Sequence, residues 1–319
     1  MEQIAIDETT HGKPDLEVAW GIQRLKISPL WKHGLTGESV RVGHLDTGVD
    51  GDHPALRGAV AEFVYFDDSG KEQTRNGGKP FDTAEHGTHT AGIIAGRPLD
   101  GTVIGVAPGA KLVSAVVIED GDVRARIVAG IRWAMTQGIR VLNISIGLHG
   151  WCKSFLPIMR EVCKQGILPV AAVGDEGRGA AISPGNYGDV LSIGACDECD
   201  AVPVFSSSQR FFFRRNVPTI IAPGDRIRSA APDTDLQFPE AVPDLYQVMS
   251  GTSMAAAHIS GLAALLCQAA PSATAKDIKG AIFGSCKRPS GVPRVRGSRG
   301  IPDAVVALKI LTGIDIAGV

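Results

Sequence analysis

Short runs of apolar and largely β-branched residues recur along the chain, separated by polar or glycine-rich segments. They cover residues 40–45, 111–118, 140–146, 167–173, 190–196 and 219–222. Each run has apolar residues at both odd and even positions, so a strand formed there would be buried on both faces. Strands of this kind are typical of a parallel sheet that is covered by helices.

Helical periodicity fills most of the intervals between these runs. It predicts helices over residues 86–96, 123–137, 154–164, 254–270, 274–283 and 302–311. The alternation predicts an α/β fold with a single doubly wound, mostly parallel sheet and helices on both faces. We expect a domain over residues 20–311, an N-terminal extension over 1–19 and a C-terminal tail over 312–319.

Composition narrows the class of protein further. Hydrophobic residues make up 44% of the chain and charged residues 21%, which is enough apolar material for a large core. The net charge of −2 gives no reason to expect nucleic-acid binding. No window holds the ~20 uninterrupted apolar residues of a membrane span, so we expect no membrane association.

The cysteine content and the N-terminal residues bear on the cellular location of the protein. Six cysteines in 319 residues are too sparse for a disulfide scaffold and favour reduced thiols. The first 15 residues have neither the basic start nor the apolar stretch of a signal peptide. We therefore expect a cytoplasmic location, or secretion if a leader has been removed.

Three short motifs place reactive side chains next to predicted elements. In VRVGHLDTGVD, Asp46 ends a buried strand, at the edge where open α/β sheets bind ligands, although a plain turn is the alternative. In EHGTHTAGIIAG, His86 begins a helix. A metal site of which His86 and His89 form half is the alternative, and it is disfavoured because no glutamate falls at the spacing of a zincin helix. In SGTSMAAAHISG, Ser253 lies at a helix start, as a nucleophile or as a plain N-cap.

The three motifs fit one reaction when they are taken together. A serine hydroxyl needs a base to become a nucleophile, and the base needs an anionic group to orient it. The order Asp46, His86, Ser253 along the chain is that of subtilisin. The segments GVAP (105–108), NISIG (143–147) and APG (222–224) add to the likeness. The chain resembles the subtilisin-like serine proteases of the intracellular type.

This resemblance implies a role for each site residue. Asp46 would orient His86, His86 would take the proton of Ser253, and Ser253 would attack the peptide carbonyl to form an acyl-enzyme. An extended substrate would bind as an added strand. The residues that it would contact are Ser145, Ile146 and Gly147 on one side, Ala172, Val173 and Gly174 on the other, and Ile182.

Two features of this cleft predict specificity. Ile182 lies near the base of the primary pocket, where its bulk would favour small or medium apolar side chains. Glu119, Asp120 and Asp122 flank the upstream side of the cleft and predict a preference for a basic residue there. A solvated acidic turn is the alternative interpretation of these three residues.

The oxyanion hole is where the chain departs most from its family. By resemblance the hole comprises Asp175, Ser253 and Thr252, but the family normally has Asn in place of Asp175. An ionised carboxylate cannot donate a hydrogen bond and repels an oxyanion. Three interpretations stay open: Asp175 is held protonated, the enzyme is slow and selective, as in the prohormone-convertase branch that also has Asp here, or the chain is a weakened variant.

The resemblance also bears on metals. Ala55 and Leu99 stand where calcium-dependent relatives supply oxygen ligands, and Ca²⁺ needs six to eight of these. We therefore assign no metal site and expect no required cofactor, with a calcium site built from Asp50, Asp52 and Asp100 as the alternative.

Partner and activity follow from these assignments. The consecutive aromatic residues Phe211, Phe212 and Phe213 predict a patch for a protein partner or self-association, with buried strand residues as the alternative.

The leading hypothesis is a serine endopeptidase that acts on peptides or proteins and is slow or selective because of Asp175. The alternative is a peptide-binding pseudoprotease with little turnover.

Overall fold

The apolar runs of the sequence form the interior strands of one large sheet. The computed structural model describes residues 16–119, 121–211, 216–232 and 245–316. Within these residues the strands are β1 (Glu17–Val18), β2 (Arg41–Asp46), β3 (Val60–Phe66), β4 (Glu72–Gln73), β5 (Thr102–Val103), β6 (Lys111–Val116), β7 (Val141–Ile144), β8 (Leu148–His149), β9 (Leu168–Ala172), β10 (Ile182–Ser183), β11 (Leu191–Cys196), β12 (Gln209–Arg210), β13 (Asn216–Val217), β14 (Ile220–Pro223), β15 (Ile227–Ala230) and β16 (Tyr246–Met249).

Helices occupy most of the intervals between these strands. Within the same residues they are α1 (Trp20–Arg24), α2 (Ser28–Lys32), α3 (His86–Ala95), α4 (Val123–Thr136), α5 (Leu156–Lys164), α6 (Thr252–Ala269), α7 (Ala275–Ser285), α8 (Arg294–Gly297) and α9 (Ala304–Thr312). Short 3₁₀ helices cover Pro54–Leu56, Asn76–Gly78 and Lys153–Phe155.

The central sheet has eight of the described strands, in the order β14-β11-β9-β7-β2-β6-β3-β4. The first seven pair in parallel, and β4 is an antiparallel edge strand. Strand β2 lies between β6 and β7, so that Gly43 is opposite both Val113 and Leu142. The chain therefore crosses from one side of β2 to the other, which opens a crevice at the carboxyl ends of β2 and β7.

Helices cover both faces of this sheet. On one face α3 and α6 bury residues such as Ile93 and Leu262, and on the other face α4 and α5 bury residues such as Ile131 and Met159. Helix α6 is long and apolar enough to cross a membrane, but 89% of that stretch is buried inside the fold, as in a core helix. The layers confirm the predicted α/β fold.

Every strand and helix predicted from the pattern has a counterpart whose ends differ by at most two residues. The pattern missed β3, because this strand is buried at only some positions, carries Glu62, and shifts register between Val60 and Glu62. The predicted domain limits at residues 20 and 311 stay predictions.

Candidate active site

The turn after β2 brings Asp46 against the start of helix α3. Gly48 has a φ of +125°, and a Cβ there would lie 2.1 Å from the carbonyl oxygen of Phe81. A Cβ at Gly87 would lie 2.0 Å from the carbonyl oxygen of Gly48. Only glycine fits at either position, and the two glycines let the turn and the helix start touch.

Two side chains fix the first turn of helix α3. The hydroxyl of Thr47 accepts the Gly87 N–H (2.9 Å) and donates to Asp82 Oδ1 (2.7 Å). Asp82 Oδ2 accepts both the N–H and the hydroxyl of Thr88, at 2.7 and 2.6 Å. Asp82 therefore caps the helix from outside it, and this cap holds His86 at the edge of the crevice.

Asp46 and His86 form a direct hydrogen bond. His86 Nδ1 lies 2.6 Å from Asp46 Oδ1, which also accepts the N–H of Thr47 (2.8 Å). Asp46 Oδ2 accepts the hydroxyl of Thr90 (3.0 Å). Asp46 is fully buried, whereas the His86 side chain is 30% exposed and faces the cleft. An acceptor at Nδ1 fixes the tautomer in which Nε2 can take a proton.

The electrostatics of this pair favour charge on both groups. Burial alone would raise the pKa of Asp46, but the charge and hydrogen bond of His86 hold it below its ordinary value. Burial alone would lower the pKa of His86, but the Asp46 carboxylate raises it above its ordinary value. Asp82 and Asp175 raise the pKa of His86 further.

Ser253 is the second residue of helix α6 and is almost fully buried. Its hydroxyl donates to the carbonyl oxygen of Ser145 at 2.8 Å, and among the described residues this hydrogen bond takes the place of one to His86. The Ser145 hydroxyl contacts the Ser253 carbonyl in return (3.3 Å) and accepts from Asn143 Nδ2 (2.9 Å). Ser253 is thus tied to the segment that follows β7.

Asp175 lies beside the N-terminus of α6. Its Oδ1 accepts the backbone N–H of Thr252 at 2.8 Å, and the Thr252 hydroxyl accepts the Gly174 N–H at 3.1 Å. The Thr252 amide is therefore bonded to Asp175 in this structure, and the assignment of Thr252 to the oxyanion hole stays a prediction. Asp175 is exposed to the cleft on one side. Desolvation by the surrounding protein still raises the pKa of its carboxyl group, against the Thr252 hydrogen bonds and the charge of His86.

Ile182 lies between the two predicted walls of the primary pocket. A Cβ added to Gly147 would be 2.9 Å from Ile182 Cδ1, and one added to Gly174 would be 2.9 Å from Ile182 Cγ2. Strands β8 and β10 pair here, with Ile182 opposite His149. A side-chain contact between His149 and Glu176 also joins β8 to the loop that precedes β10. The space between the walls is filled by protein.

The other predicted substrate residues divide between cleft and interior. A cavity of about 300 Å³ opens beside the catalytic pair. Its lining residues are His86, Ile118, Val123, Ile127, Ser145, Ile146 and Gly147. Ala172 and Val173 are buried at the end of β9, where the Val173 carbonyl accepts the N–H of Ile182 (2.9 Å).

The acidic residues near this cavity have partners within the chain. Glu119 accepts from the Tyr65 hydroxyl (2.7 Å) and from Arg75 Nη1 (2.6 Å). Asp122 caps helix α4 by accepting the Arg124 N–H (2.9 Å). Asp120 lies outside the described residues. These contacts favour the interpretation as a structured turn, and we do not propose a preference for a basic residue.

The residues that bear on the alternative calcium site have contacts within the chain. Ala55 is fully buried, and its carbonyl oxygen accepts the N–H of Arg97 (2.8 Å). Asp50 Oδ1 accepts the Asp52 N–H (3.0 Å). Within the described part of the chain no three His, Cys, Asp or Glu residues lie close enough together to hold a metal ion. The expectation that no cofactor is required stays a prediction.

The aromatic segment near residue 211 is only partly described. The ring of Phe211 lies 5.7 Å from that of Trp151 and packs on a small cluster that contains Val173, Ala181 and Val217. Phe212 and Phe213 lie outside the described residues. A partner surface at this segment stays a prediction.

Sequence reasoning did not identify Asp82, which caps the helix that carries His86. Its signal was present, because an aspartate shortly before a predicted helix start is a common cap. The contacts of Glu119 with Tyr65 and Arg75 had no such signal, because the three residues lie in different elements.

Comparisons with known proteins agree with this geometry. The model of the subtilase family matches residues 37–300. The chain is 31% identical over 260 residues to the major intracellular serine protease of Bacillus subtilis (strain 168), an alignment that covers 78% of this chain and 75% of that protein. It is 34% identical to subtilisin Savinase of Lederbergia lenta, over 80% of this chain and 86% of that protein.

The chain therefore belongs to the subtilase family. It is a serine endopeptidase of the subtilisin type, a class whose substrates are peptides or proteins.

Proposed function

We propose that the chain hydrolyses peptide bonds through Asp46, His86 and Ser253. His86 Nε2 accepts the proton of the Ser253 hydroxyl while Ser253 Oγ bonds to the peptide carbonyl carbon. The C–N bond then breaks, and His86 gives its proton to the departing amine. Water, deprotonated by His86, releases the acyl group from Ser253 by the reverse sequence.

The observation that carries this proposal is the 2.6 Å contact between His86 Nδ1 and Asp46 Oδ1. It leaves Nε2 as the proton acceptor on the side of the open cleft. Ser253 must rotate about its Cα–Cβ bond to leave the Ser145 carbonyl and reach His86. An extended substrate that pairs with residues 145–147 would favour this rotation, since it enters the space beside that carbonyl.

We propose that Asp175 acts as an oxyanion donor only when it is protonated. Its Oδ1 is occupied by the Thr252 N–H, so the proton would lie on Oδ2 and point toward the cleft. Desolvation already raises the pKa of Asp175, and a developing oxyanion beside it would raise the pKa further. The backbone N–H of Ser253, at the positive end of α6, would be the second donor.

This proposal requires His86 and Asp175 to be in opposite protonation states. His86 must be neutral, so activity falls as the pH drops through its raised pKa. Asp175 must be protonated, so activity falls as the pH rises through its own raised pKa. We expect a narrow bell-shaped dependence of kcat/KM on pH and slow turnover at neutral pH.

The variant Asp175→Asn tests this proposal. An amide donates at every pH, so the alkaline fall should disappear and kcat/KM at neutral pH should rise about 10²–10³-fold, the size of this donor's effect in subtilisin. The profile of wild type and variant should be measured with a peptide p-nitroanilide, and Ser253→Ala should abolish both activities. An unchanged profile in Asp175→Asn would contradict the proposal.

A peptide-binding pseudoprotease is the second candidate. The hydrogen bond of Ser253 to Ser145 and the carboxylate of Asp175 both favour it, since both oppose attack. It predicts that peptides bind with measurable affinity but that neither the wild type nor Asp175→Asn turns them over. Hydrolysis by Asp175→Asn would leave this candidate without support.

We also propose that the residue before the cut has a small side chain. The Ile182 side chain fills the space between Gly147 and Gly174, where a larger side chain would have to enter. Alanine or a residue of similar size fits the remaining space best.

A cytoplasmic location is our proposal for where the enzyme acts. It is supported by the likeness to the intracellular protease of Bacillus subtilis and by the six free cysteines of the described residues. Fractionation of cells from the source organism would test it.

A further inference from the structure

A second histidine lies behind the catalytic carboxylate, and the proposed reaction does not use it. His44 is two residues before Asp46 on strand β2, so both side chains point to the same face of the sheet. His44 is fully buried, as are its two polar neighbours, Ser114 on β6 and Thr90 on α3. Three elements thus bring a polar cluster into an otherwise apolar core.

Hydrogen bonds link this cluster to Asp46 in one row. His44 Nδ1 is 2.9 Å from Ser114 Oγ, and His44 Nε2 is 2.9 Å from Thr90 Oγ1. Thr90 Oγ1 donates to Asp46 Oδ2 at 3.0 Å and has the Gly87 carbonyl oxygen at 3.1 Å as its competing acceptor. The direct distance from His44 Nε2 to Asp46 Oδ2 is 3.8 Å, too long for a hydrogen bond.

The number of protons determines the direction of each bond. Thr90 has one hydroxyl proton, and ionised Asp46 can only accept. If His44 Nε2 carried no proton, it would compete with Asp46 for the hydroxyl of Thr90. If Nε2 carries the proton, it donates to Thr90, and the Thr90 proton remains available to Asp46. Nδ1 then accepts from Ser114, so that every donor in the row points toward the carboxylate.

The charge state of His44 fits this arrangement. Burial lowers the pKa of His44, against the charges of Asp46 and Asp82, and the charge of His86 lowers it further. These are the charged groups that face it from β2, from α3 and from the segment before α3. Burial therefore favours the neutral form of His44, which is the form that this arrangement of hydrogen bonds requires.

We propose that His44 is a positioning residue for the catalytic carboxylate and that it acts through Thr90. Its Nε2–H turns the hydroxyl of Thr90 away from the Gly87 carbonyl and onto Asp46 Oδ2, while Ser114 selects the tautomer. The carboxylate is then held at both oxygens, with Oδ1 presented to His86. This inference rests on the proposed function, because it assigns the row a role in orienting the base.

Matched substitutions separate positioning from packing. Thr90→Val keeps the shape and removes the hydroxyl, Thr90→Ser keeps the hydroxyl, and His44→Phe fills the same space without a donor. Val42→Ala, on the same strand and face, is the control, because it loosens the core without touching the row. All variants are made in the full chain in the Asp175→Asn background, which gives the largest signal.

Loss of the row should lower kcat without raising KM. Thr90→Val and His44→Phe each remove a hydrogen bond that supports a charged group, worth roughly 10- to 100-fold in kcat. The less stabilised carboxylate becomes a stronger partner for protonated His86, so the acidic limb of the pH profile should move to higher pH. Thr90→Ser should restore both values. Because His44 acts through Thr90, the double variant should be no worse than Thr90→Val alone.

A readout in the resting protein keeps this test independent of turnover. The proton between His86 Nδ1 and Asp46 Oδ1 should give a downfield NMR signal, which should shift in Thr90→Val and His44→Phe but not in Thr90→Ser or Val42→Ala. If no variant hydrolyses peptide, the proposed function fails and this signal alone decides the inference. An unmoved signal and an unmoved acidic limb in His44→Phe would overturn it, as would equal shifts in Val42→Ala.

Discussion

At the residue scale, the catalytic groups differ in how firmly the resting protein holds them. Asp46 accepts hydrogen bonds from Thr47, Thr90 and His86, which hold both of its carboxylate oxygens in place. Ser253 instead donates to a backbone carbonyl, from which it must turn away before it can react. In the proposed mechanism, the bound substrate therefore has to bring Ser253 into contact with His86.

The proposed specificity also rests on a single residue, Ile182. Ile182→Gly should open the space between Gly147 and Gly174 and admit larger side chains. We expect the kcat/KM ratio for Phe over Ala at the residue before the cut to rise at least about tenfold, since each added apolar contact is worth that order of discrimination. Matched peptide p-nitroanilides would measure this ratio.

The control for this prediction is Ile146→Ala. Ile146 lines the neighbouring cavity, so its truncation should change the preference at a residue further upstream and leave the Phe to Ala ratio unaltered. A wild-type enzyme that cleaves mainly after Phe, Tyr or Arg would contradict the role given to Ile182.

The residues of the candidate site could be proposed from the sequence more readily than their contacts. Asp46, His86 and Ser253 stand in short motifs, so each could be found locally. The use of the Thr252 amide by Asp175 could not be found in this way, because the two residues are far apart in the chain and meet only through the fold. The same holds for His44 and Thr90.

At the element scale, close contact between strand β2 and helix α3 determines the site. The helix start can approach the turn after β2 only because Gly48 and Gly87 have no side chains. The cap from Asp82 then fixes where the helix begins. A helix that began one residue later, or lay further from β2, would carry His86 out of reach of Asp46.

Two glycine substitutions in helices should have opposite effects on stability. Gly87→Ala places a methyl group 2.0 Å from the Gly48 carbonyl oxygen and should lower the free energy of unfolding by at least about 1–3 kcal/mol. Gly280→Ala, in helix α7, meets no atom within 4 Å and should raise it by about 1 kcal/mol. Denaturant unfolding in a Ser253→Ala background would measure both. Equal effects at the two positions would contradict the contact described for Gly87.

Elements were predictable from sequence to the extent that both their faces are buried. Strands such as β9 and β14 are apolar throughout, so the pattern located them. Strand β3 lies near the sheet edge, next to the last strand, and its partly polar sequence does not distinguish it from a loop. Short pairs such as β8 and β10 depend on tertiary contact and leave no pattern.

At the scale of the whole molecule, one sheet separates two apolar cores. Helix α6 packs on one face, helix α4 on the other, and both contact strand β2. Damage to either core should therefore be transmitted through the same strands to the site.

Truncation in each core tests whether the described chain unfolds as one unit. Ile259→Ala on α6 and Ile131→Ala on α4 each remove a fully buried side chain and should cost about 2–5 kcal/mol. Both variants, in the Ser253→Ala background, should unfold in one calorimetric transition at a lower temperature than the parent. Two separate transitions, with only one shifted in each variant, would contradict the single domain predicted for residues 20–311.

The most direct test of the proposed triad of Asp46, His86 and Ser253 is covalent labelling of Ser253. The protein should be treated with a fluorophosphonate, and the adduct located by mass spectrometry of the intact chain and of its peptides. We expect one adduct, on Ser253, formed faster in Asp175→Asn and at least about a hundredfold more slowly in His86→Ala, since the base activates the nucleophile. No adduct on Ser253 even in Asp175→Asn, or labelling at the same rate without His86, would show that these residues do not act together.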